Sequence, residues 1–145
     1  MASREYPAAP LVAAGALIVR DGKVLLVKRA RPPNQGRWAV PGGLVELGES
    51  TREAAVREAK EELGLDLEIV GLAGVADDVA LDPKGRVRYQ FVLVDYLARP
   101  LRGEVQLNGE SSDYGWFDAE GLRRIDVLPR SKELALGALA GALTR

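Results

Sequence analysis

The chain has 145 residues, the usual length of one domain. It is 47% hydrophobic, enough to bury a core, and its net charge of −1 argues against a broadly basic, nucleic-acid-binding surface. Neither cysteine nor histidine occurs, which excludes disulfides, thiol nucleophiles, histidine-ligated metals and histidine-based catalytic triads. A general base must therefore be a carboxylate, a lysine, a tyrosine or a metal-bound hydroxide.

No stretch of the sequence has the length of a membrane-spanning helix. The longest apolar run, residues 11–19, is roughly half as long as such a helix needs to be. The residues before it lack the succession of basic, apolar and small residues found in secretory signal peptides. Together with the lack of cysteine, this predicts a cytoplasmic protein that does not act at a membrane.

The N-terminal part predicts a loose arm followed by a single domain. Residues 1–10 contain two prolines and form the arm, and residues 11–145 show no repeat or linker that would divide them. Two β-like runs, over 11–19 and 24–29, flank Asp21-Gly22, which is a strong signal for a hairpin.

Loop residues dominate the next segment. Residues 30–37 contain two prolines, an asparagine and a glycine, and they predict a loop. Residues 38–40 predict a short strand that stops at Pro41-Gly42-Gly43, the start of a rigid loop over 41–49.

The clearest helix covers residues 51–63. Ser50 and Glu53 have the spacing of a capping box, and Gly64 supplies the C-terminal stop.

The C-terminal half predicts mainly strands. Four of them are expected, over residues 65–70, 72–76, 87–97 and 114–117. A turn at 82–85 separates the second from the third, and Asp77-Asp78 is expected to be a turn as well. A helical turn over 120–124 and a closing helix over 131–143 complete a mixed sheet that is covered by helices.

Three carboxylates share one stripe of the helix over 51–63. At 100° per residue, Glu58, Glu61 and Glu62 fall within about 100° of one another. This crowding at the negative end of the helix dipole is unfavourable without a cation. A solvated acidic face is the simple alternative, but the preceding glycine-rich loop can add backbone carbonyls, and oxygen ligands alone favour Mg²⁺ or Mn²⁺.

The 23 residues from Gly43 to Leu65 resemble the signature of the Nudix hydrolase family. Gly43 is followed after five residues by Glu49, and after seven more by Arg57-Glu58-Ala59-Lys60-Glu61-Glu62-Leu63-Gly64-Leu65. Every fixed position is matched, with an alanine where a larger aliphatic residue is usual. The hairpin before the signature and Tyr114-Gly115-Trp116-Phe117-Asp118 after it are also similar, so the resemblance covers most of the chain.

The resemblance implies a fold, a reaction and a set of site residues. The fold is an α/β/α sandwich around a mixed central β-sheet. The reaction is Mg²⁺- or Mn²⁺-dependent hydrolysis of a pyrophosphate linkage in a nucleoside diphosphate that is joined to another group. Arg57 would fix the carboxylates through an ion pair with Glu49. The implied metal ligands are the carbonyl of Gly43 and the carboxylates of Glu58, Glu61 and Glu62.

The resemblance leaves the general base open. In parts of the family the base lies in a loop before the last strand, where Glu110 is the candidate in this chain, with Glu104 behind it. Elsewhere in the family a glutamate of the signature serves, which would be Glu61 or Glu58. With no histidine in the chain, any side-chain base at this site is expected to be one of these glutamates.

The stretch over residues 31–46, which leads into the signature, is nearest in appearance to the ADP-ribose pyrophosphatase branch of the family. That branch shares this approach to the signature with enzymes that remove oxidised nucleotides. Arg29 and Arg37 lie just before the glycine-rich loop, where guanidinium groups can bind phosphates. The expected substrate is ADP-ribose or a related sugar nucleotide, and the alternative is a (deoxy)nucleoside triphosphate.

A non-catalytic nucleotide-sensing module is a further alternative, although such modules commonly have a broken signature. Pairing into a homodimer is frequent in the family, but no residue of this sequence demonstrates it.

Overall fold

A computed structural model describes residues 4–141, which form seven strands and three helices. The strands are β1 (Leu11–Arg20), β2 (Lys23–Arg29), β3 (Trp38–Ala39), β4 (Gly42–Leu44), β5 (Asp66–Leu81), β6 (Val87–Arg102) and β7 (Ser111–Phe117). The helices are α1 (Thr51–Leu63), α2 (Ala119–Leu122) and α3 (Pro129–Leu139). Within the described residues, no helix is long and apolar enough to cross a membrane.

The strands form one mixed sheet in the order β3-β2-β1-β6-β5, with β4 beside β1 and β7 beside β2. β1 and β6 run parallel from the Leu11–Phe91 pair to the Ile18–Ala98 pair. The other pairs of named strands in the described part of the chain are antiparallel. The predicted mixed sheet is therefore confirmed.

Alternate residues of the central strands face two separate cores. Ile18 and Leu25 pack with Leu63 of α1 on one face of the sheet. Leu17 and Leu26 pack on the opposite face with a core that includes residues of α2 and α3. Because side chains of a strand point alternately to the two faces, a single run of apolar residues in β1 supplies both cores. The result is the expected α/β/α sandwich.

Local signals correctly predicted the first hairpin and the first helix. Asp21 and Gly22 have φ values of 52° and 73°, as a tight two-residue hairpin turn requires. The backbone N–H of Glu53 donates to the Ser50 hydroxyl at 3.0 Å, and the Ser50 N–H donates to the Glu53 carboxylate at 3.0 Å. Gly64 ends α1 in the left-handed region, with φ of 70°.

The structure corrects three of the predicted elements. The two strands predicted over 65–70 and 72–76 form one long strand, β5, which begins at Asp66, because its pairing with β6 continues through register shifts at 69–71 and 72–74 instead of ending at a turn. Asp77-Asp78 lies within the same strand. The start of the expected rigid loop is strand β4, which pairs with β1.

The closing helix begins earlier than predicted. Pro129 occupies its first turn, where a proline costs no hydrogen bond. The described helix ends at Leu139, and the last two residues of the predicted helix, 142 and 143, lie outside the described residues.

Residues 4–10 contact the tip of the β5–β6 hairpin. The Tyr6 N–H donates to the Arg88 carbonyl at 2.7 Å, and the Tyr6 hydroxyl donates to Asp82 at 2.9 Å. The Arg86 guanidinium lies 4.9 Å from the centre of the Tyr6 ring. These contacts attach the arm to the hairpin, while the division of the chain into arm and domain stays a prediction.

The capping box of α1 yields a stability prediction. Ser50→Ala removes a side-chain acceptor at the N-cap and should lower the free energy of unfolding by about 1 kcal/mol, which corresponds to a fall in Tm of about 2–4 °C for a chain of this size. Thermal unfolding followed by circular dichroism measures the effect. The control is Ser112→Ala, because that exposed hydroxyl makes only a 3.5 Å contact with the Lys28 carbonyl. Equal Tm values for Ser50→Ala and the wild type would contradict a stabilising role for the cap.

Candidate metal centre

Three carboxylates come together from two parts of the chain, helix α1 and the residue before β7. One oxygen each of Glu58, Glu62 and Glu110 lies within 4.8 Å of the other two. Glu58 and Glu62 come from adjacent turns of α1, and Glu110 immediately precedes β7. The capped helix fixes the first pair, since residues four apart share one helix face.

The most buried of the three carboxylates is that of Glu62. The residue is 6% exposed, and its Oε2 atom is buried without a hydrogen-bond partner. Burial, followed by the charges of Glu58 and Glu110, raises the pKa of Glu62 to about 8. Burial also raises the pKa of Glu58, against the opposing effect of Arg57. A buried carboxylate with an unpartnered oxygen is costly unless a cation or a proton neutralises it.

A hard divalent cation fits this donor set. All three donors are carboxylates, the ligand type that Mg²⁺ and Mn²⁺ prefer over the nitrogen and sulfur ligands of zinc. A cation would satisfy the unpartnered Oε2 of Glu62 and remove the repulsion among the three charges.

Arg57 connects the helix to the segment that precedes it. Its Nε and Nη2 atoms donate to the two Glu49 oxygens at 2.7 and 2.9 Å, so the expected ion pair is present. Nη2 also donates to the Leu44 carbonyl at 3.0 Å, and Nη1 donates to Glu58 at 2.9 Å. Hydrogen bonds from Arg57 and from the Glu46 N–H lower the pKa of Glu49 to about 2. Arg57 therefore fixes the orientation of the Glu58 carboxylate.

Gly43 lies directly against that carboxylate. A Cβ atom at Gly43 would stand 2.5 Å from Cδ of Glu58, so a side chain there would displace the Glu58 carboxylate from its present position. Strand β4 holds Gly43 opposite Ala14 of β1, so the glycine cannot move aside without breaking the strand pair. The absence of a side chain at this position leaves room for the Glu58 carboxylate beside strand β4.

Glu61 is not one of the three clustered carboxylates, although it accepts from the same Arg57 Nη1 atom as Glu58. Its side chain is 55% exposed and contacts Arg57 at 3.1 Å. The third carboxylate of the cluster, beside those of Glu58 and Glu62, is that of Glu110. Helical periodicity placed Glu61 on the same broad stripe, but its side chain is exposed, whereas Glu58 is half-buried and Glu62 is buried.

Arg29 and Arg37 stand at the two ends of the loop over 30–37. The Arg29 N–H donates to the Arg37 carbonyl at 2.9 Å, which closes the loop. The Arg29 guanidinium donates to the Pro33 carbonyl at 2.8 Å, and the Arg37 guanidinium contacts Asp126 at 3.2 Å. Neither contact brings a guanidinium to the carboxylate cluster, and the phosphate-binding roles of both residues stay predictions.

The sequence interpretation missed a buried ion pair on the other side of the sheet. Asp95 of β6 is 8% exposed and accepts hydrogen bonds from Arg130 of α3 at 2.8 and 3.2 Å. Burial raises the pKa of Asp95 despite the guanidinium. A signal existed, because one aspartate interrupts an apolar strand over residues 91–97.

Comparisons with known proteins cover the whole of this site. Residues 9–136 match the NUDIX domain family. An ADP-ribose pyrophosphatase from Methanocaldococcus jannaschii is 36% identical over 116 residues, which cover 80% of this chain and 66% of that protein, just under two thirds of its length.

Two further similarities cover most of both chains. A putative 8-oxo-dGTP diphosphatase 2 from Mycobacterium tuberculosis is 37% identical over 124 residues, 84% of this chain and 82% of that one. The crystal structure of a MutT NUDIX hydrolase from Burkholderia pseudomallei superposes with a TM-score of 0.77 at 35% identity and covers 88% of this chain and 96% of that one.

Burial of Glu62 predicts that the stability of the metal-free protein depends on pH. Between its usual pKa of 4.5 and the folded value of about 8, the folded state holds a proton that the unfolded state has lost. The free energy of unfolding therefore falls as the pH rises through this window, by at most about 1.4 kcal/mol per pH unit for one proton.

Urea unfolding in EDTA at pH 5.5 and 7.5 measures this fall. The neutral variant Glu62→Gln should show a shallower decline than the wild type, whereas Glu61→Gln, at an exposed neighbour, should retain it. The same decline in Glu62→Gln as in the wild type would contradict the assignment to Glu62.

Proposed function

The chain belongs to the Nudix family of nucleotide pyrophosphohydrolases, and we propose that it is a Mg²⁺-dependent enzyme whose substrate is ADP-ribose or a related sugar nucleotide. The observation that carries the proposal is the cluster of Glu58, Glu62 and Glu110 with its unpartnered buried oxygen. Hydrolysis of the pyrophosphate linkage yields a nucleoside monophosphate and a sugar phosphate, which are AMP and ribose 5-phosphate from ADP-ribose.

In this proposal the metal ligands are the carboxylates of the α1 stripe and one backbone carbonyl. Glu58 and Glu62 are supported by their mutual distance and burial, and Glu61 by its place beside Arg57. Gly43 is supported by its contact with Glu58. When bound, Mg²⁺ or Mn²⁺ neutralises the pyrophosphate and lowers the pKa of a water molecule. The residues of the chain orient the ligands and accept the proton.

We assign the proton acceptor to Glu110, with Glu61 or Glu58 of the helix as alternatives. Glu110 is supported because its carboxylate reaches the cluster while the residue remains exposed to solvent, so a proton taken from water can leave. Arg57 acts as a positioning residue, since its hydrogen bonds fix Glu58 and Glu61 relative to the loop that carries Glu49.

The substrate proposal is supported by the relative named ADP-ribose pyrophosphatase, and Arg29 and Arg37 are the proposed phosphate-binding residues. The alternative substrate class is (deoxy)nucleoside triphosphates, including oxidised ones, which the relative named 8-oxo-dGTP diphosphatase supports. That reaction would release inorganic pyrophosphate instead of a sugar phosphate.

Two finer proposals concern assembly and location. A homodimer is supported by large apolar side chains that the β5–β6 hairpin leaves exposed, among them Leu72, Val75, Val79 and Leu81. A cytoplasmic location is supported by the lack of cysteine. A purely nucleotide-sensing role is disfavoured because the signature from Gly43 to Leu65 is intact.

A hydrolysis panel with product identification tests the substrate. With Mg²⁺, we expect ADP-ribose or another sugar nucleotide to give the highest kcat/KM, with release of a nucleoside monophosphate. The panel includes dinucleoside polyphosphates, dGTP and 8-oxo-dGTP, and chromatography separates the products. Preference for 8-oxo-dGTP with release of pyrophosphate would move the assignment to the second substrate class. Nucleotide binding without turnover in Mg²⁺ or Mn²⁺ would instead indicate a sensing module.

The assignment of the base predicts the effect of Glu110→Gln. The variant keeps the size of the side chain and loses its basicity, so kcat should fall about a hundredfold or more, as is typical when a general base is removed. Steady-state kinetics on the preferred substrate measure the fall. Glu133→Gln, at an exposed glutamate of α3 with no proposed role in the site, is the matched control and should keep kcat. Wild-type kcat in Glu110→Gln would move the base to Glu61 or Glu58.

A further inference from the structure

The segment over residues 103–110, which we call the strap, carries Glu110 across the C-terminal end of α1. The Gln106 N–H donates to the Leu63 carbonyl at 2.9 Å and so occupies one of the free carbonyls that end the helix. Val105 and Leu107 pack against the core beneath the helix. The first part of the strap is therefore fixed, and Asn108, Gly109 and Glu110 extend beyond the last of these contacts.

Glu110 stays in the cluster against electrostatic repulsion. The residue is exposed, and its carboxylate lies within 4.8 Å of those of Glu58 and Glu62. Among residues 4–141, no ion pair holds its side chain. Like charges at such distances repel, and the hydrogen bond to the Glu110 side chain comes from Glu62, another acid of the cluster. That contact does not place the segment that carries Glu110, so the placement depends on the backbone.

The backbone of Glu110 is held on both sides. Its N–H donates to Oδ1 of Asn108 at 3.1 Å, and its carbonyl accepts from the Ala30 N–H at 3.2 Å. Gly109, between Asn108 and Glu110, has φ of 98°, a conformation that glycine adopts without strain. With both polar backbone groups occupied, the backbone of Glu110 is held, and with it the direction of its Cα–Cβ bond.

We infer that Asn108 is a positioning residue that keeps the Glu110 carboxylate at the cluster through the bond from its side-chain oxygen to the Glu110 N–H. The inference rests on the proposed function, in which Glu110 accepts the proton. Only a short side chain with an acceptor oxygen reaches the N–H two residues on.

The test compares Asn108→Leu, which has similar volume but no acceptor, with Asn108→Asp, which keeps the acceptor. In Asn108→Leu, the amide proton of Glu110 should exchange faster, and Mn²⁺ should bind the substrate-free protein more weakly. We expect kcat to fall about threefold to tenfold, the range for loss of one neutral hydrogen bond, with KM unchanged. Asn108→Asp should keep slow exchange and recover most of kcat.

The matched control is Gln106→Leu. It removes an exposed amide from the same strap and leaves the backbone bond to Leu63 in place. Amide exchange at Glu110, Mn²⁺ binding and kcat should all match the wild type in this variant. An unchanged Tm in Asn108→Leu, together with the loss of kcat, would distinguish positioning of Glu110 from general destabilisation.

Wild-type exchange at Glu110 and wild-type Mn²⁺ affinity in Asn108→Leu would overturn the inference. A further loss of kcat when Asn108→Leu is added to Glu110→Gln would overturn it as well, because Asn108 would then act on something other than Glu110. Full activity of Glu110→Gln alone would overturn the assignment of the base instead. In that case amide exchange and Mn²⁺ affinity still decide whether Asn108 positions Glu110.

Discussion

The enclosure of three carboxylates within one small volume is the constraint on which the rest of the site depends. Glu58, Glu62 and Glu110 repel one another, and the burial of Glu62 makes the repulsion stronger than it would be in water. In the metal-free protein this repulsion is unfavourable, and the raised pKa of Glu62 relieves part of it because the protonated carboxyl group is neutral. Binding of a divalent cation removes the cost, so the same feature that destabilises the empty site favours the occupied one.

Rigid surroundings keep the repelling groups in place. Arg57 ties the helix to Glu49 and to the Leu44 carbonyl, and Gly43 presses against Glu58 from strand β4. These contacts belong to separate elements, namely the helix, the loop before it and the sheet. Displacement of any one of them would let the carboxylates separate, so the geometry of the site depends on the packing of the whole α1 face.

Local chemistry made part of this predictable from the sequence. The hairpin at Asp21-Gly22 and the helix that starts at Ser50 rest on bonds between near neighbours, and both are confirmed. Strand β5 was divided wrongly, because pairing with a full-length β6 outweighs the local preference of glycine for a turn.

In the site, too, residues close in sequence could be predicted and contacts between distant segments could not. Spacing along one helix identified Glu58 and Glu62, whereas the distance of Glu110 from them depends on how the strap crosses α1. The Asp95–Arg130 pair was missed because its partners are 35 residues apart and belong to no local pattern.

Strand β1 contributes side chains to both cores. Along one edge it pairs first with β4 and then with β2, and along the other edge it pairs with β6 over residues 11–18. A single residue inserted in its middle would exchange the side chains that point to the two cores. It would also shift the pairing of Ala14 with Gly43, the glycine that lies against the Glu58 carboxylate. The number of residues in β1 is therefore fixed. The tip of the β5–β6 hairpin, in contrast, is a connection at the end of two long strands, and a change in its length would not alter the side chains that face the two cores. Natural variation in chain length is expected to accumulate at that tip and to be absent from β1.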